Sequence, residues 1–321
     1  MDGCQAVYGR APGKSGCSAA QTAAIALLAA LLLCPAGTAR ATDLGPTPSA
    51  AAYAPPADPW QIDATAYGWA INLNGSTTVD GVKASVDVTF IDIVENADSI
   101  AALEGRMEAR KGKFSLVSIS DYFNATFSGN VIGSVQPVPQ LDIDFDASVE
   151  LDFELILSEL SATYEIFKTP FGEPGGFAAL DALAGGRYNS IDATTDIVLN
   201  ATATLTPEIV PISFTETGQI RAQIQVDEQW VDPFVGLRLR IDSPRGYGFI
   251  ARGDVGGFGV NSEFVWQAMA GLAGQCRCNE NLSWAVGYRA LDTDYSTGSG
   301  ANEFAFDMLI HGPVIGANYS F

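Results

Sequence analysis

His311-Gly-Pro-Val-Ile-Gly-Ala-Asn-Tyr-Ser-Phe321, the end of the sequence, alternates with period two. Counting back, Phe321, Tyr319, Ala317, Ile315 and Pro313 share one face; Ser320, Asn318, Gly316, Val314 and Gly312 share the other. Successive side chains of a strand point to opposite sides, so this reads as a β-strand with one apolar and one small or polar face. The segment before it behaves alike, with Leu282, Trp284, Val286, Tyr288 and Ala290 opposite Ser283, Ala285, Gly287, Arg289 and Leu291. Three more segments, around Phe264–Leu272, Tyr247–Val255 and Val235–Ile241, repeat the arrangement. In a water-soluble sandwich the second face would be rich in Lys, Glu and Asp. Here Gly, Ala, Ser and Arg dominate it, which suits a crowded polar interior. An apolar exterior, a polar interior and aromatic residues near strand ends form the pattern of a transmembrane β-barrel.

Working outward, ten segments are legible, near 60–73, 98–110, 113–127, 148–167, 176–194, 227–241, 245–257, 262–274, 280–294 and 306–321. The expected fold is all-β: an antiparallel up-and-down transmembrane β-barrel of about ten strands, with roughly 8–12 compatible. Short turns at 110–113, 168–175, 242–246 and 275–279 alternate with links near 74–97, 128–147, 195–226, 258–261 and 295–305. An even count puts both ends of the barrel region on one side, the periplasmic side if short turns face the periplasm. Ala84–Phe90 and Leu141–Phe145 also alternate, so either the strands project beyond the membrane or a further hairpin exists. Residues 91–101 mix Asp92, Glu95 and Asp98 with apolar residues, as a short helix at the barrel mouth would.

The first 41 of the 321 residues read as a secretory signal: Arg10 and Lys14, an apolar heart at 23–34, then Ala39-Arg-Ala41. That heart is too short for the ~20 residues of a membrane-crossing helix. Residues 42–59 form a Pro/Ala-rich periplasmic segment, and 60–321 the barrel. The net charge is −20, and removing Arg10, Lys14, Arg40 and Asp2 takes it to −22. Such a chain repels phosphate, so nucleic acid is excluded as a partner. Charged residues are 17%, below the roughly 25% of soluble domains. Cys4, Cys17 and Cys34 leave with the signal. Cys276 and Cys278, as a local disulfide or two thiols, are too few for a closed zinc site, and no cofactor or metal is expected.

The terminal Phe321, with Tyr319, Ala317 and Ile315 at alternate positions, resembles the C-terminal assembly signal of outer-membrane barrels. Residues 60–321 resemble the small outer-membrane β-barrel proteins of proteobacteria, the class that includes the outer membrane protein A barrel. They are similar to a subgroup of that class without assigned chemistry, through Trp60-Gln61, Glu108-Ala-Arg-Lys-Gly112, Trp230-Val-Asp-Pro-Phe234, Arg252-Gly-Asp-Val-Gly-Gly-Phe-Gly259, Gly287-Tyr-Arg289 and His311-Gly-Pro313. The resemblance implies the outer membrane of a Gram-negative bacterium. Its implied partners are outer-membrane lipid, lipopolysaccharide and the barrel-assembly machinery, the last through the C-terminal strand. Unlike outer membrane protein A, no peptidoglycan-binding domain is expected after the barrel.

Strand parity points Arg187, Arg238, Arg240, Arg252 and Arg289 into the lumen, with Glu104, Glu108, Asp121, Glu159, Glu165, Asp181, Asp232 and Asp254 facing them. Two readings follow: a charged constriction that selects small solutes, or an internal ion-pair network that closes a narrow barrel. Arg252-Gly-Asp254 spells an adhesion tripeptide but lies inside a strand. The acidic residues Asp142, Asp144, Asp146, Glu150, Asp152, Glu154, Asp292 and Asp294 lack the spacing of a calcium loop and read as a solvated rim. His311 is the only histidine; parity puts it on the lipid face, where a lipid-modifying enzyme would need a serine partner that is not evident. The expectation is a non-enzymatic barrel with a structural or surface role, with a selective small-solute channel and a His311 lipid-modifying enzyme as alternatives.

Overall fold

The computed structural model describes residues 59–321 apart from 139–140, 206–213, 277–278 and 280; the side chains of 131–142, 145, 203 and 205–215 are also outside the description. The signal segment, nearly all of the Pro/Ala-rich segment and Cys278 lie outside the described residues. Among the described residues twelve strands, one α-helix and one 3-10 turn follow in order: β1 Gln61–Trp69, β2 Asn72–Val79, β3 Val82–Val88, α1 Phe90–Asn96, β4 Ala97–Lys111, β5 Phe114–Val138, β6 Leu141–Pro170, β7 Phe177–Leu205, β8 Phe214–Asp242, β9 Tyr247–Gly256, β10 Ser262–Gln275, β11 Leu282–Thr297, the 3-10 turn Gly300–Asn302 and β12 Phe304–Ser320.

The sheet is antiparallel and closes on itself. β1 pairs with β4 on one side and with β12 on the other, from Asp63↔Ser320 to Trp69↔Val314. β2 continues up the same β12, from His311↔Asn72 to Ala305↔Thr78. β1 and β2 are thus two halves of one wall strand, and the ring has ten positions. The break between them sits against Gly312, where a Cβ would lie 1.9 Å from the Ala70 carbonyl oxygen. That contact requires glycine, and the Ala70 N–H is received by the Pro313 carbonyl at 3.0 Å.

The link at 74–97 holds the further hairpin, β2–β3, and the mouth helix. The helix is shorter than the 91–101 expected from sequence because Asp98 to Ala101 join β4. Thr89 caps it: its hydroxyl accepts from the Asp92 N–H, and Asp92 accepts from the Thr89 N–H. The links expected at 128–147 and 195–226 are largely strand. β5 to β8 run 25 to 30 residues each, whereas a spanning strand needs roughly 9–11. The four continue past the ring as a free sheet, because β8 meets β9 only from Phe234 onward and β5 meets β4 only up to Phe127.

Outward side chains form an apolar belt. Leu103, Met107, Leu160, Ile166 and Leu237 are more than half exposed, and Val231 is half exposed. On β6 the belt runs from Ile166 to Ile156, after which Glu154, Asp152 and Glu150 follow. Ten residues at about 3.3 Å, tilted near 40°, give about 25 Å of height. Tyr164, Phe167, Tyr247, Tyr319 and Phe321 ring the turn end, and Tyr122, Tyr188, Trp266 and Tyr288 the other.

The interior differs from a uniformly polar lumen. Its half nearer the turn end is charged, while its other half is an apolar plug of Trp69, Ile71, Leu155, Leu157, Ile191, Trp230, Val265, Leu291, Phe306 and Ile310, closed by Ile93 of α1. Trp230 stacks on Tyr295 with ring centroids 4.0 Å apart. Beyond the belt the outer medium is no longer apolar, so the hydrophobic effect drives the large side chains to the inner face instead.

Candidate functional site: the charged lumen

All thirteen residues expected in the lumen point inward, Glu165 among them as a buried partner of Arg240. Glu104, Glu108, Asp121, Glu159, Asp181, Arg187, Asp232, Arg238, Arg252, Asp254 and Arg289 are buried, and Arg240 is half-buried. They fall into two layers.

The layer nearer the turn end centres on Glu108 of β4 and Asp181 of β7. Arg238 of β8 crosses the lumen and donates to both Glu108 oxygens, at 2.8 and 2.9 Å, the bidentate fork that suits a carboxylate. Its Nε donates to Asp181 at 2.9 Å. Arg240 also donates to Asp181 and reaches Glu165 at 3.1 Å. Arg106 and Arg110 flank Glu108 on its own strand.

The central layer centres on Glu159 of β6. Arg187 donates to it at 3.0 Å, Arg252 at 2.7 Å and Arg289 at 3.4 Å. Arg187 and Arg252 also hold Asp254, at 2.8 and 2.9 Å. Arg289 of β11 spans to Asp121 of β5 at 2.7 Å and donates to Gln267 at 2.8 Å. Two aromatic plates complete the layer. Phe234 lies between Arg187 and Arg252, 5.0 and 5.3 Å from their guanidinium carbons, and Trp69 lies 4.4 Å from that of Arg289.

Asp232 is in the lumen but makes no ion pair among the described residues. It accepts from the Trp230 indole at 2.9 Å, the Asn189 amide at 3.4 Å, and the Ser262 N–H and hydroxyl at 2.9 and 2.6 Å. It pins the start of β10 rather than a guanidinium. Parity could have added Arg106 and Arg110, which share the face of Glu104 and Glu108. No sequence signal marked Tyr67, which donates to Asp121, or Ser115, which donates to Glu108.

Arginines 106, 110, 187, 238, 240, 252 and 289 thus meet six carboxylates directly, with Glu104 beside them accepting the Trp69 N–H. The seven guanidinium groups match the six paired carboxylates and Glu104 in number, while Asp232 is held by neutral donors, so each buried charge has the partners it demands. A cavity of about 20 Å³ remains between Arg106, Thr163, Arg238 and Arg252, room for one water molecule.

Outside the lumen, His311 faces outward. Its Nδ1 lies 2.6 Å from the Tyr288 hydroxyl and its Nε2 2.7 Å from the Asn74 Oδ1. The Asn74 amide donates to Asp87 at 2.6 Å, which turns its oxygen toward His311. Nε2 therefore carries the proton, and Nδ1 accepts from Tyr288. Arg252-Gly-Asp254 lies within β9 with both charges inward. Phe321, Tyr319 and Ile315 are exposed on the outer face of the turn end, with Ala317 half-buried between them, and the Phe321 N–H donates to Ile62 at 2.9 Å. Among the described residues no three potential ligands converge as a metal site.

No family model matches the sequence, and comparison with curated proteins gives no match. Among solved structures the chain is similar to the outer membrane protease OmpT from Escherichia coli, at 10% identity over 83% of this chain and 98% of that one, with a TM-score of 0.30. It is also similar to Ail, the attachment invasion locus protein of Yersinia pestis, at 8% identity, 82% and 98% coverage and a TM-score of 0.23. The translocator domain of the autotransporter NalP from Neisseria meningitidis gives 9% identity, 82% and 88% coverage and a TM-score of 0.29.

Proposed function

We propose that this chain is an integral outer-membrane β-barrel protein with a closed lumen and a structural or surface role. The observation that carries the reading is the set of ion pairs that cross the lumen: Arg238 to Glu108, Arg252 to Glu159 and Arg289 to Asp121. Their side chains are at most 8% exposed. A solute passing through would have to separate them, and breaking a buried pair costs about 3–5 kcal/mol. The apolar plug is a second barrier in series. These features weigh against the small-solute channel. The outer-membrane reading is supported by the apolar belt of about 25 Å, the aromatic rings at its two edges and the outward terminal Phe321.

On this reading the end carrying Trp60, Phe321 and the short turns faces the periplasm, and the extension of β5 to β8 faces the exterior. Residues 1–41 direct secretion, and the barrel-assembly machinery reads the last strand. The likeness to the outer membrane protein A class rests on that terminal strand and on the chain's motifs. Lipid and lipopolysaccharide contact the belt. Both ring nitrogens of His311 are occupied by Tyr288 and Asn74, which favours an interfacial structural role over lipid hydrolysis. Planar-bilayer recording of purified protein tests the closed lumen: no steady openings are expected, and openings that fall when Arg238 or Arg289 is replaced would establish the channel instead.

A further inference from the structure

The four-stranded extension has two free edges, and they are unlike. The β5 edge carries Gly129, Gly133 and Pro137, residues that weaken or block pairing. The β8 edge is less protected, with Gly218 as its one glycine and Glu216, Arg221, Asp227 and Glu228 as its charges. Between Glu216 and Gln229 it has no proline and no lysine. β8 pairs with β7 along its whole length, but with β9 only from Phe234 to Asp242. Among the described residues no strand pairs with the other side of 216–229. Such an edge presents a row of N–H and C=O groups ready for another strand.

The two faces beside this edge say what that strand must carry. On the inner-parity face Ile220 is 64% exposed and Ile224 42%. On the opposite face Asp192 and Asp227 stand directly across from each other on β7 and β8. Like charges in that position repel, and neither has an ion pair among the described residues. Asp227 receives only the Gln229 amide, at 3.3 Å. Arg221 shares the face of Asp227, six residues away on β8, so an added strand relieves this repulsion where its basic residue lies beside Asp227, while its alternate positions would cover Ile220 and Ile224.

We propose that the β8 edge between Glu216 and Gln229 accepts, by strand addition, an extended segment of a partner protein that alternates basic and apolar residues. Backbone pairing supplies the docking, and the alternation supplies the selectivity. This goes beyond the closed-barrel reading and does not depend on it.

The test uses the full chain folded in nonionic detergent, with two labelled ten-residue peptides, one alternating lysine and valine and one alternating glutamate and valine. Fluorescence anisotropy, corrected for empty micelles, is expected to show the lysine peptide binding at least about tenfold more tightly. Asp227→Lys should reverse that preference, and the milder Asp227→Asn should narrow it. Ile220→Ser with Ile224→Ser should weaken both peptides. Hydrogen exchange should show new protection at 216–229 and none at 128–138. Heat-modifiable migration on a gel verifies that each variant still holds a barrel. Equal affinity for the two peptides, no binding, an unchanged preference in Asp227→Lys, or protection elsewhere would overturn the proposal.

Discussion

Replacing Arg289 by methionine isolates one cross-lumen contact. Arg289 is buried, and its guanidinium is the one cation that pairs with Asp121 among the described residues. Its loss leaves Asp121 with the Tyr67 hydroxyl as its partner, whereas Glu159 retains Arg187 and Arg252. The penalty is therefore that of stranding one buried carboxylate, about 3–5 kcal/mol. Methionine fills much of the volume over Trp69, so little of the loss comes from a cavity. Adding Asp121→Asn removes the stranded charge and should recover about 2 kcal/mol or more, since an uncharged amide is far cheaper to bury. The assay is equilibrium urea unfolding of protein folded into lipid vesicles, followed by tryptophan fluorescence and gel mobility. If Arg289→Met alters stability by less than about 1 kcal/mol, or if Asp121→Asn restores nothing, the ion-pair lattice is not what holds the lumen closed.

Three shorter predictions follow from other parts of the molecule. Beyond the belt, burial raises the Asp294 carboxyl above its ordinary value, and the neighbouring Asp307 and Glu263 push the same way. A raised carboxyl costs stability above its folded pKa and costs nothing once protonated, so Asp294→Asn should stabilise the protein at neutral pH, with the gain vanishing below the ordinary carboxylate range in pH-dependent melts. Deleting Phe321 removes one exposed aromatic worth about 1.5–3 kcal/mol of lipid burial, small beside a closed barrel; membrane fractionation should show low yield in cells, with the inserted remainder still heat-modifiable. Protease added to intact cells should cut within 195–226 and spare 168–175, and the opposite pattern in mass-mapped fragments would invert the orientation.

The fold was largely legible in the sequence because a strand's parity is a local property. Once Phe321, Tyr319 and Ile315 define the outer face, the inward direction of Arg289, Arg252 and Arg238 follows residue by residue, as does the number of wall strands. The same rule reached Arg106 and Arg110, had it been applied to all of β4. It could not tell that Asp232 would be served by Trp230, Asn189 and Ser262 rather than by an arginine, because all but Trp230 sit on other strands. The extensions of β5 to β8 were harder, since the faces exchange character at the belt's edge and an alternation test blind to the surrounding medium sees the pattern weaken.

By itself, then, the sequence determined the inward parity of most of the charged side chains in the lumen, a count of about ten wall strands and the outward face of the terminal Phe321. Only the tertiary structure decided which guanidinium meets which carboxylate. Asp121 and Arg289 are 168 positions apart, and their contact depends on ring circumference and strand stagger, which are properties of the closed sheet. The plug of Trp230, Tyr295 and Phe306 has the same origin. Each residue has an inward parity of its own, but whether the inside is water or packed side chain is settled only when ten strands bring their inner faces within contact distance.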